Sequence, residues 1–288
     1  MKVLVTGFNG QLASELKKIS YGYNNLSWTF TSKKDLDLSK LNTIDIYLNN
    51  LDPCIIINCA AYTNVDKAEA EAELANRVNN KAVARISKWT SENKKKLIHI
   101  STDYVFDGSI KVPLCEESRT NPINEYGSSK LKGEQVCLNN DPNSIIIRTS
   151  WLYSEFGKNF LKTIIELMKN NDSVNVVNDQ LGSPTSANDL ANVIIKIMFN
   201  YRSISGIFHY SNNGEITWYE FAKSIKEIFG LKAELIGVPS KEFKIIAARP
   251  KYSLLNKSKI KSTFKLKIPH YKTSLKNCIK IIKKKQNI

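Results

Sequence analysis

The sequence predicts an α/β fold: a doubly wound parallel sheet with a smaller C-terminal α/β portion. Three observations carry this expectation. Short β-branched runs alternate with stretches of helical apolar spacing through the first half of the chain. Those runs are continuously apolar, as strands covered on both faces are. A glycine-bearing turn, Gly7-Phe8-Asn9-Gly10, stands between the first such run and the first helical stretch.

In order, residues 3–5, 28–31, 55–57, 97–100 and 145–147 read as strands. Residues 11–20, 41–48, 67–90 and 124–138 read as the helices between them. Right-handed crossovers then wind helices onto both faces of one sheet. After about residue 150 the rhythm loosens. A helix over 159–169 precedes a strand at 174–177, a proline-bearing loop and a helix over 188–199. A strand at 207–210, a helix over 218–229, one more short strand and two terminal helices complete the chain. The expected division is 1–150 and 151–288, the second part covering the open sheet edge, with sheet contributions free to interleave. Ligands of such folds bind at the carboxyl ends of the strands.

The 288 residues suffice for a substantial core, and 42% hydrophobic with 24% charged residues is ordinary globular composition. The net charge of +15 raises the question of a nucleic-acid partner, and its distribution answers it. Residues 251–288 hold 12 lysines and no carboxylate, so 12 of the 15 net charges lie there. Within that segment Leu275, Cys278, Ile279 and Ile282 keep helical apolar spacing. A helix packed on one face with solvated lysines on the other is the simpler account. No nucleic-acid motif is present, and no apolar run is long enough for a membrane span. Five scattered cysteines without a C-x-x-C pair, and Met1 leading straight into a strand, fit a cytoplasmic protein without a signal peptide, disulfide framework or zinc site.

Three segments carry chemistry. In Gly7-Phe8-Asn9-Gly10-Gln11-Leu12-Ala13 the glycines allow a tight turn and close approach of a pyrophosphate to a helix N-terminus. In Tyr126-Gly127-Ser128-Ser129-Lys130 the phenol and ammonium share one helix face, and the cation is expected to bring the phenol toward a working pKa. This spacing alone says little. Twelve tyrosines and 36 lysines in 288 residues give about 1.5 chance matches, and there are two, the other being Tyr219/Lys223. Position chooses between them. Tyr126 opens the helix after the fourth strand, whereas Tyr219 sits in the aromatic run Trp218-Tyr219-Glu220-Phe221, which reads as packing. The third segment, Ser101-Thr102-Asp103-Tyr104-Val105-Phe106-Asp107-Gly108, leaves the fourth strand. There Thr102 could polarise a carbonyl, or simply belong to a polar turn.

Taken together, these segments resemble the extended short-chain dehydrogenase/reductase family, and within it the dTDP-4-dehydrorhamnose reductases. Further matching pieces are Asn58-Cys59-Ala60-Ala61-Tyr62-Thr63-Asn64-Val65-Asp66, Arg148-Thr149-Ser150-Trp151, Asp179-Gln180-Leu181-Gly182-Ser183-Pro184-Thr185 and Arg249-Pro250. The resemblance implies a Rossmann-like dinucleotide-binding part over 1–150 and a mainly substrate-binding part over 151–288. It implies an NAD(P)H-dependent reduction of a nucleotide-linked keto sugar. Gly7, Gly10, Gln11 and Leu12 would line the pyrophosphate. Asp37 and Leu38 would lie near the adenine, and Ala60, Ala61 and Tyr62 beside the ribose and nicotinamide. Thr102, Tyr126 and Lys130 would be catalytic, the last two also holding cofactor. Thr102, Asp103 and Trp151 would touch the sugar nucleotide.

Thr31-Ser32-Lys33-Lys34, where NAD-specific relatives carry an acid, points to NADPH, with Lys33 on its 2′-phosphate and NADH also usable. Some members hold magnesium between two subunits. Glu15 matches one ligand, but the second position is Asn188, with Asp189 adjacent, so no metal ligand is assigned. The resemblance allows a homodimer. The alternatives are another nucleotide-sugar reductase or epimerase, and a non-catalytic NADP-binding subunit like the regulatory subunit of methionine adenosyltransferase. The intact Thr102, Tyr126 and Lys130 set weighs against the latter.

Overall fold

The computed structural model describes residues 1–200, 204–243 and 246–286. The first half alternates as the sequence predicts. In order come β1 (Lys2–Thr6), α1 (Gln11–Ser20), β2 (Ser27–Thr31), α2 (Leu41–Leu51) and β3 (Ile55–Asn58). Next are α3 (Val65–Ala68), α4 (Ala72–Asn76), a π-helical turn (Arg77–Lys81) and α5 (Ala82–Glu92). Then follow β4 (Lys96–Thr102), α6 (Glu125–Asn140) and β5 (Ile145–Thr149). The second half holds β6 (Leu152–Tyr153), α7 (Phe160–Asn170), β7 (Ser173–Val177), β8 (Leu181–Gly182), β9 (Thr185–Ser186) and α8 (Ala187–Phe199). It ends with β10 (Gly206–Tyr210), β11 (Ile216–Thr217), α9 (Trp218–Phe229), β12 (Glu234–Val238), α10 (Ser258–Phe264) and α11 (Tyr271–Lys285).

The central sheet has six parallel strands in the order β10-β5-β4-β3-β1-β2. Every residue of β3 and β5 is buried, which is why their runs are apolar without alternation. On one face Leu12 and Leu16 of α1 meet Leu190, Ile194 and Ile197 of α8. On the other, Ile44 and Leu48 of α2 meet Val83, Ile86 and Trp89 of α5. A third cluster joins α7, β7, α9 and α11 through Leu161, Val176, Phe221 and Leu275. Leu275, Cys278, Ile279 and Ile282 of the basic tail are buried here, while Lys272, Lys276 and Lys280 are exposed.

The strand expected in the C-terminal portion is β10, which pairs with β5 and completes the central sheet, an interleaving that the sequence reading left open. One element differs from that reading. The helix expected over 67–90 is broken into α3, α4, the π turn and α5. The run from Ala72 to Glu92 is continuous, and its π turn has a tertiary cause. Buried Asn79 in the π turn accepts from Tyr62 N at 2.8 Å and donates to Tyr62 O at 3.0 Å and Ser129 Oγ at 2.9 Å. Gly133 of α6 lies so close that an added Cβ would sit 2.0 Å from Asn79 O. The wider turn admits that contact and aims Asn79 at Tyr62.

Candidate active site

β1 and β3 are neighbours, but the chain leaves β1 for β2 on the opposite side, so the strand order reverses between them. The site opens there, at the strands' carboxyl ends. Gly7 has φ +77°, and a Cβ on it would meet Ala60 N at 2.7 Å. Only glycine lets the turns after β1 and β3 abut in this way. Gly10 N donates to Gly7 O at 3.0 Å, and Gly10 caps α1 without a side-chain hydrogen bond. The first-turn N–H groups of α1 are thus available to an anion.

Every residue that the sequence reading assigned to a site lines one cavity of about 910 Å³. Gly7, Gly10, Gln11 and Leu12 come from the first turn and α1. Lys33, Asp37 and Leu38 follow β2, and Ala60, Ala61 and Tyr62 follow β3. Thr102 and Asp103 end β4, Tyr126 and Lys130 rise from α6, and Trp151 follows β5. Asp37 accepts from Ser39 N at 3.0 Å and Ser39 Oγ at 2.8 Å. Lys33 is exposed at the rim. Lys223, by contrast, is exposed, and neither it nor Tyr219 lines the cavity.

At the inner end, Asn124 caps α6 by accepting from Gly127 N at 2.7 Å, so Tyr126 sits in the first helical turn. Its ring meets Tyr104 edge-on, centroids 5.8 Å apart. Burial pushes the Tyr126 phenol up to about 12; the neighbouring Thr102 hydroxyl lowers it, and Asp103 raises it. Burial brings Lys130 down to about 8, opposed chiefly by Glu134. Lys130 Nζ donates to Ile100 O at 2.6 Å and lies 3.3 Å from His99 Nε2. Two of the three ammonium hydrogens are therefore directed at His99 and Ile100, and one is left for the cavity. The downward pull on Tyr126 expected from the sequence is not among the influences that set it here.

Asp103 is buried, and its Oδ2 has no partner among the described residues. Burial raises this carboxyl to about 7, opposed by the nearby Ser253 hydroxyl and by Thr102, whose Oγ1 donates to Asp103 Oδ1 at 3.2 Å. An orphaned buried oxygen on a cavity wall fits a site built for a polar ligand. The C-terminal half closes over it. Gln11 donates to Leu152 O at 3.3 Å and accepts from Asn159 Nδ2 at 2.9 Å. Arg249 grips Asp66 with both amino groups, at 3.1 and 2.7 Å.

The RmlD substrate-binding domain family matches residues 1–284. The chain belongs to this family. The dTDP-4-dehydrorhamnose reductase of Sinorhizobium fredii is 39% identical over 97% of both chains. The solved structure of a dTDP-4-dehydrorhamnose reductase from Clostridium acetobutylicum is 37% identical with TM-score 0.94, covering 98% of this chain and all of that one. The Bacillus anthracis dTDP-4-dehydrorhamnose reductase, solved in complex with NADP, is 36% identical with TM-score 0.93, covering 97% and 99% of the two chains.

Within this RmlD-family site, sequence reasoning missed Trp218 and Phe160. Both line the cavity, and Trp218 stacks on Trp151. The one available signal was Thr217 with Glu220, a capping box that starts α9 and fixes where its first residue points. A magnesium ligand set does not fit the residues present. Glu15 is buried, accepting from Ser154 Oγ at 2.6 Å and Asn188 Nδ2 at 3.1 Å. Asp189 turns instead to Asn212 Nδ2 at 2.7 Å and to Ser274. Among the described residues no three His, Cys, Asp or Glu side chains could hold a metal.

Proposed function

We propose that this chain reduces the C4 keto group of a dTDP-4-keto-6-deoxyhexose, converting dTDP-4-dehydrorhamnose to dTDP-rhamnose. The observation that carries the reading is the Thr102–Tyr126 hydroxyl pair, which opens on the same cavity as the Gly7–Gly10 turn. The fit of a dinucleotide is supported by the close approach of Gly7 to Ala60 and by the uncapped first turn of α1. A bound reduced nicotinamide supplies the hydride.

The chain's own residues supply the rest. Thr102 orients the carbonyl by donating to its oxygen. Tyr126 gives that oxygen its phenolic proton as the alkoxide develops, and Lys130 stabilises the resulting phenolate and holds the nicotinamide ribose. Asp103 and Trp151 contact the sugar nucleotide, and Trp218 supports Trp151 from behind. Gln11 and Leu12 hold the pyrophosphate, Ala60, Ala61 and Tyr62 flank the ribose, and Asp37 and Leu38 flank the adenine. Residues 1–150 act mainly on the dinucleotide and 151–288 mainly on the substrate. NADPH is accepted at least as well as NADH, through Lys33 at the rim. The five free cysteines suit a reducing cytoplasm, and no helix among the described residues is long and apolar enough to cross a membrane.

The test mixes protein, NADPH and dTDP-4-dehydrorhamnose, follows loss of reduced-cofactor absorbance and identifies the product. Related keto-sugar nucleotides run in parallel. Turnover to dTDP-rhamnose supports the reading. Faster turnover of another keto sugar reassigns the substrate, and NADPH binding without turnover of any of them favours a regulatory subunit.

A further inference from the structure

Behind Lys130, away from the cavity, lies a row of buried polar side chains that the proposed reaction does not use. Lys130 Nζ is 3.3 Å from His99 Nε2, and His99 Nδ1 is 3.1 Å from Asn58 Nδ2. Thr6 Oγ1 lies 2.6 Å from Asn58 Oδ1 and accepts from Ala60 N at 3.1 Å. Thr6, Asn58, His99 and Lys130 are each no more than 2% exposed. The row crosses β4, β3 and β1 and ends at the Ala60 amide, beside the Gly7 turn.

Counting protons fixes the direction of each link. An ammonium has no lone pair, so a charged Lys130 must donate to His99 Nε2. A neutral imidazole then carries its proton on Nδ1 and donates to Asn58, which presents its oxygen. The amide nitrogen of Asn58 turns to Thr6, since a half-turn exchanges the two ends of an amide without changing its shape. A neutral Lys130 permits the reverse: Thr6 donates to Asn58 Oδ1, Asn58 Nδ2 to His99 Nδ1, and His99 Nε2 to the amine. Both directions pair every link.

We propose that His99 is a positioning residue for Lys130, its neutral ring accepting one ammonium N–H while Asn58 and Thr6 hold the ring, and that the row reverses direction when Lys130 loses its proton. Ile100 O takes a second N–H. One N–H is left for the cavity, so the ammonium cannot swing among several acceptors. Burial, then the Lys130 charge, hold His99 well below its usual range, which keeps the ring neutral. The charged and titratable groups about Lys130 are His99 from β4, Cys59 after β3, and Glu134 and Cys137 on its own helix. The ordering role rests on the proposed proton transfer; the row itself does not.

The test therefore reads the ring first. The chain has three histidines. Of these, His209 is buried with Nδ1 at 3.0 Å from Leu114 O, which fixes its proton on Nδ1. Nitrogen NMR of the ¹⁵N-labelled chain at pH 6 should show both buried rings protonated on Nδ1. A buried ring protonated on Nε2 at that pH would overturn the proposal, with or without turnover.

The second arm is the pH profile of kcat/KM. His99→Leu should move the alkaline limb down by about one pH unit, as loss of an acceptor for a charged donor does. His99→Gln, which keeps an acceptor, should recover most of that shift. A limb that stays in place while activity merely scales down would also overturn it. Absence of turnover in the unaltered protein would count against the reductase reading alone, because the ring-nitrogen result stands apart from activity.

Discussion

The indole of Trp151 lies flat on that of Trp218, with centroids 3.6 Å apart and planes 11° from parallel. Trp151 has φ +46°, a left-handed conformation unfavourable for a bulky residue. The stack holds it there, and Phe160 backs Trp218 at 4.4 Å. An aromatic pair contributes about 0.5–1.5 kcal/mol beyond its buried area. Trp218→Ala should therefore raise KM for the nucleotide sugar by roughly 2–10-fold and leave NADPH affinity unchanged. Steady-state kinetics beside an NADPH titration separates the two. An equal loss of cofactor binding would mean that Trp218 supports the whole cavity, not the substrate wall.

Much of this molecule was legible in the sequence because its signals are local. The runs at Ile55 and Ile145 read as strands since burial on both faces demands unbroken apolar residues. Gly7 and Gly10 read as a turn because two glycines stand directly between a strand and a helix, and at Gly7 no other residue tolerates the approach to Ala60. What escaped depends on distant partners. The π turn exists for Asn79 to reach Tyr62 and Ser129, and nothing near Asn79 announces it. Trp218 reads as packing, and it does pack, but on a cavity wall 67 residues back in the chain. The acceptors of Lys130 at His99 and Ile100 were not legible either, because i, i+4 spacing fixes a shared face, not where Nζ finds its partners.

Lys33 at the cavity rim predicts cofactor preference. The acid nearest the end of β2 is Asp35, and its carboxylate accepts from Ser32 N at 2.8 Å and Ser32 Oγ at 2.7 Å. Those bonds occupy it locally. kcat/KM should favour NADPH, and Lys33→Ala/Lys34→Ala should erase the preference by weakening NADPH and sparing NADH. A strong NADH preference unchanged in the double mutant would refute the assignment.

Asp103 sets a pH dependence of stability. Its folded pKa of about 7 lies above the ordinary 3.8, so the native state holds a proton that the unfolded chain has lost between those values. Stability therefore falls as pH rises from about 4 to 7, and the full cost of the buried charge remains above that window. Asp103→Asn keeps the shape without the charge. It should raise the Tm at pH 8 and change it little at pH 4. An equal shift at both pH values would show that ionisation of Asp103 is not the cause.

Glu15 predicts indifference to divalent cations, because Ser154 and Asn188 already take both its oxygens. Chelation with EDTA followed by added magnesium should leave turnover and the Tm unchanged within error. A rise in either with magnesium would require Glu15 to release Asn188, and Asn188→Glu should then strengthen the response.

Of the two Tyr-x-x-x-Lys pairs, only Tyr126/Lys130 is placed for proton transfer. Tyr126 and Thr102 line the same cavity wall, while Tyr219 packs against the α7–α9–α11 cluster with Lys223 in solvent. Tyr126→Phe keeps the ring and its edge contact with Tyr104 but removes the acid. Loss of a positioned general acid costs on the order of 10²–10⁴ in rate, so turnover should fall by that factor with NADPH affinity largely intact. Lys130→Met should lower turnover and weaken NADPH binding together, because that ammonium serves both phenolate and ribose. Tyr219→Phe should change turnover less than about threefold, any deficit appearing in stability instead. Cofactor oxidation with the keto sugar, run beside a binding titration for each variant, decides among them. Normal turnover in Tyr126→Phe together with a dead Tyr219→Phe would require Tyr219, which does not line the cavity, to carry the proton.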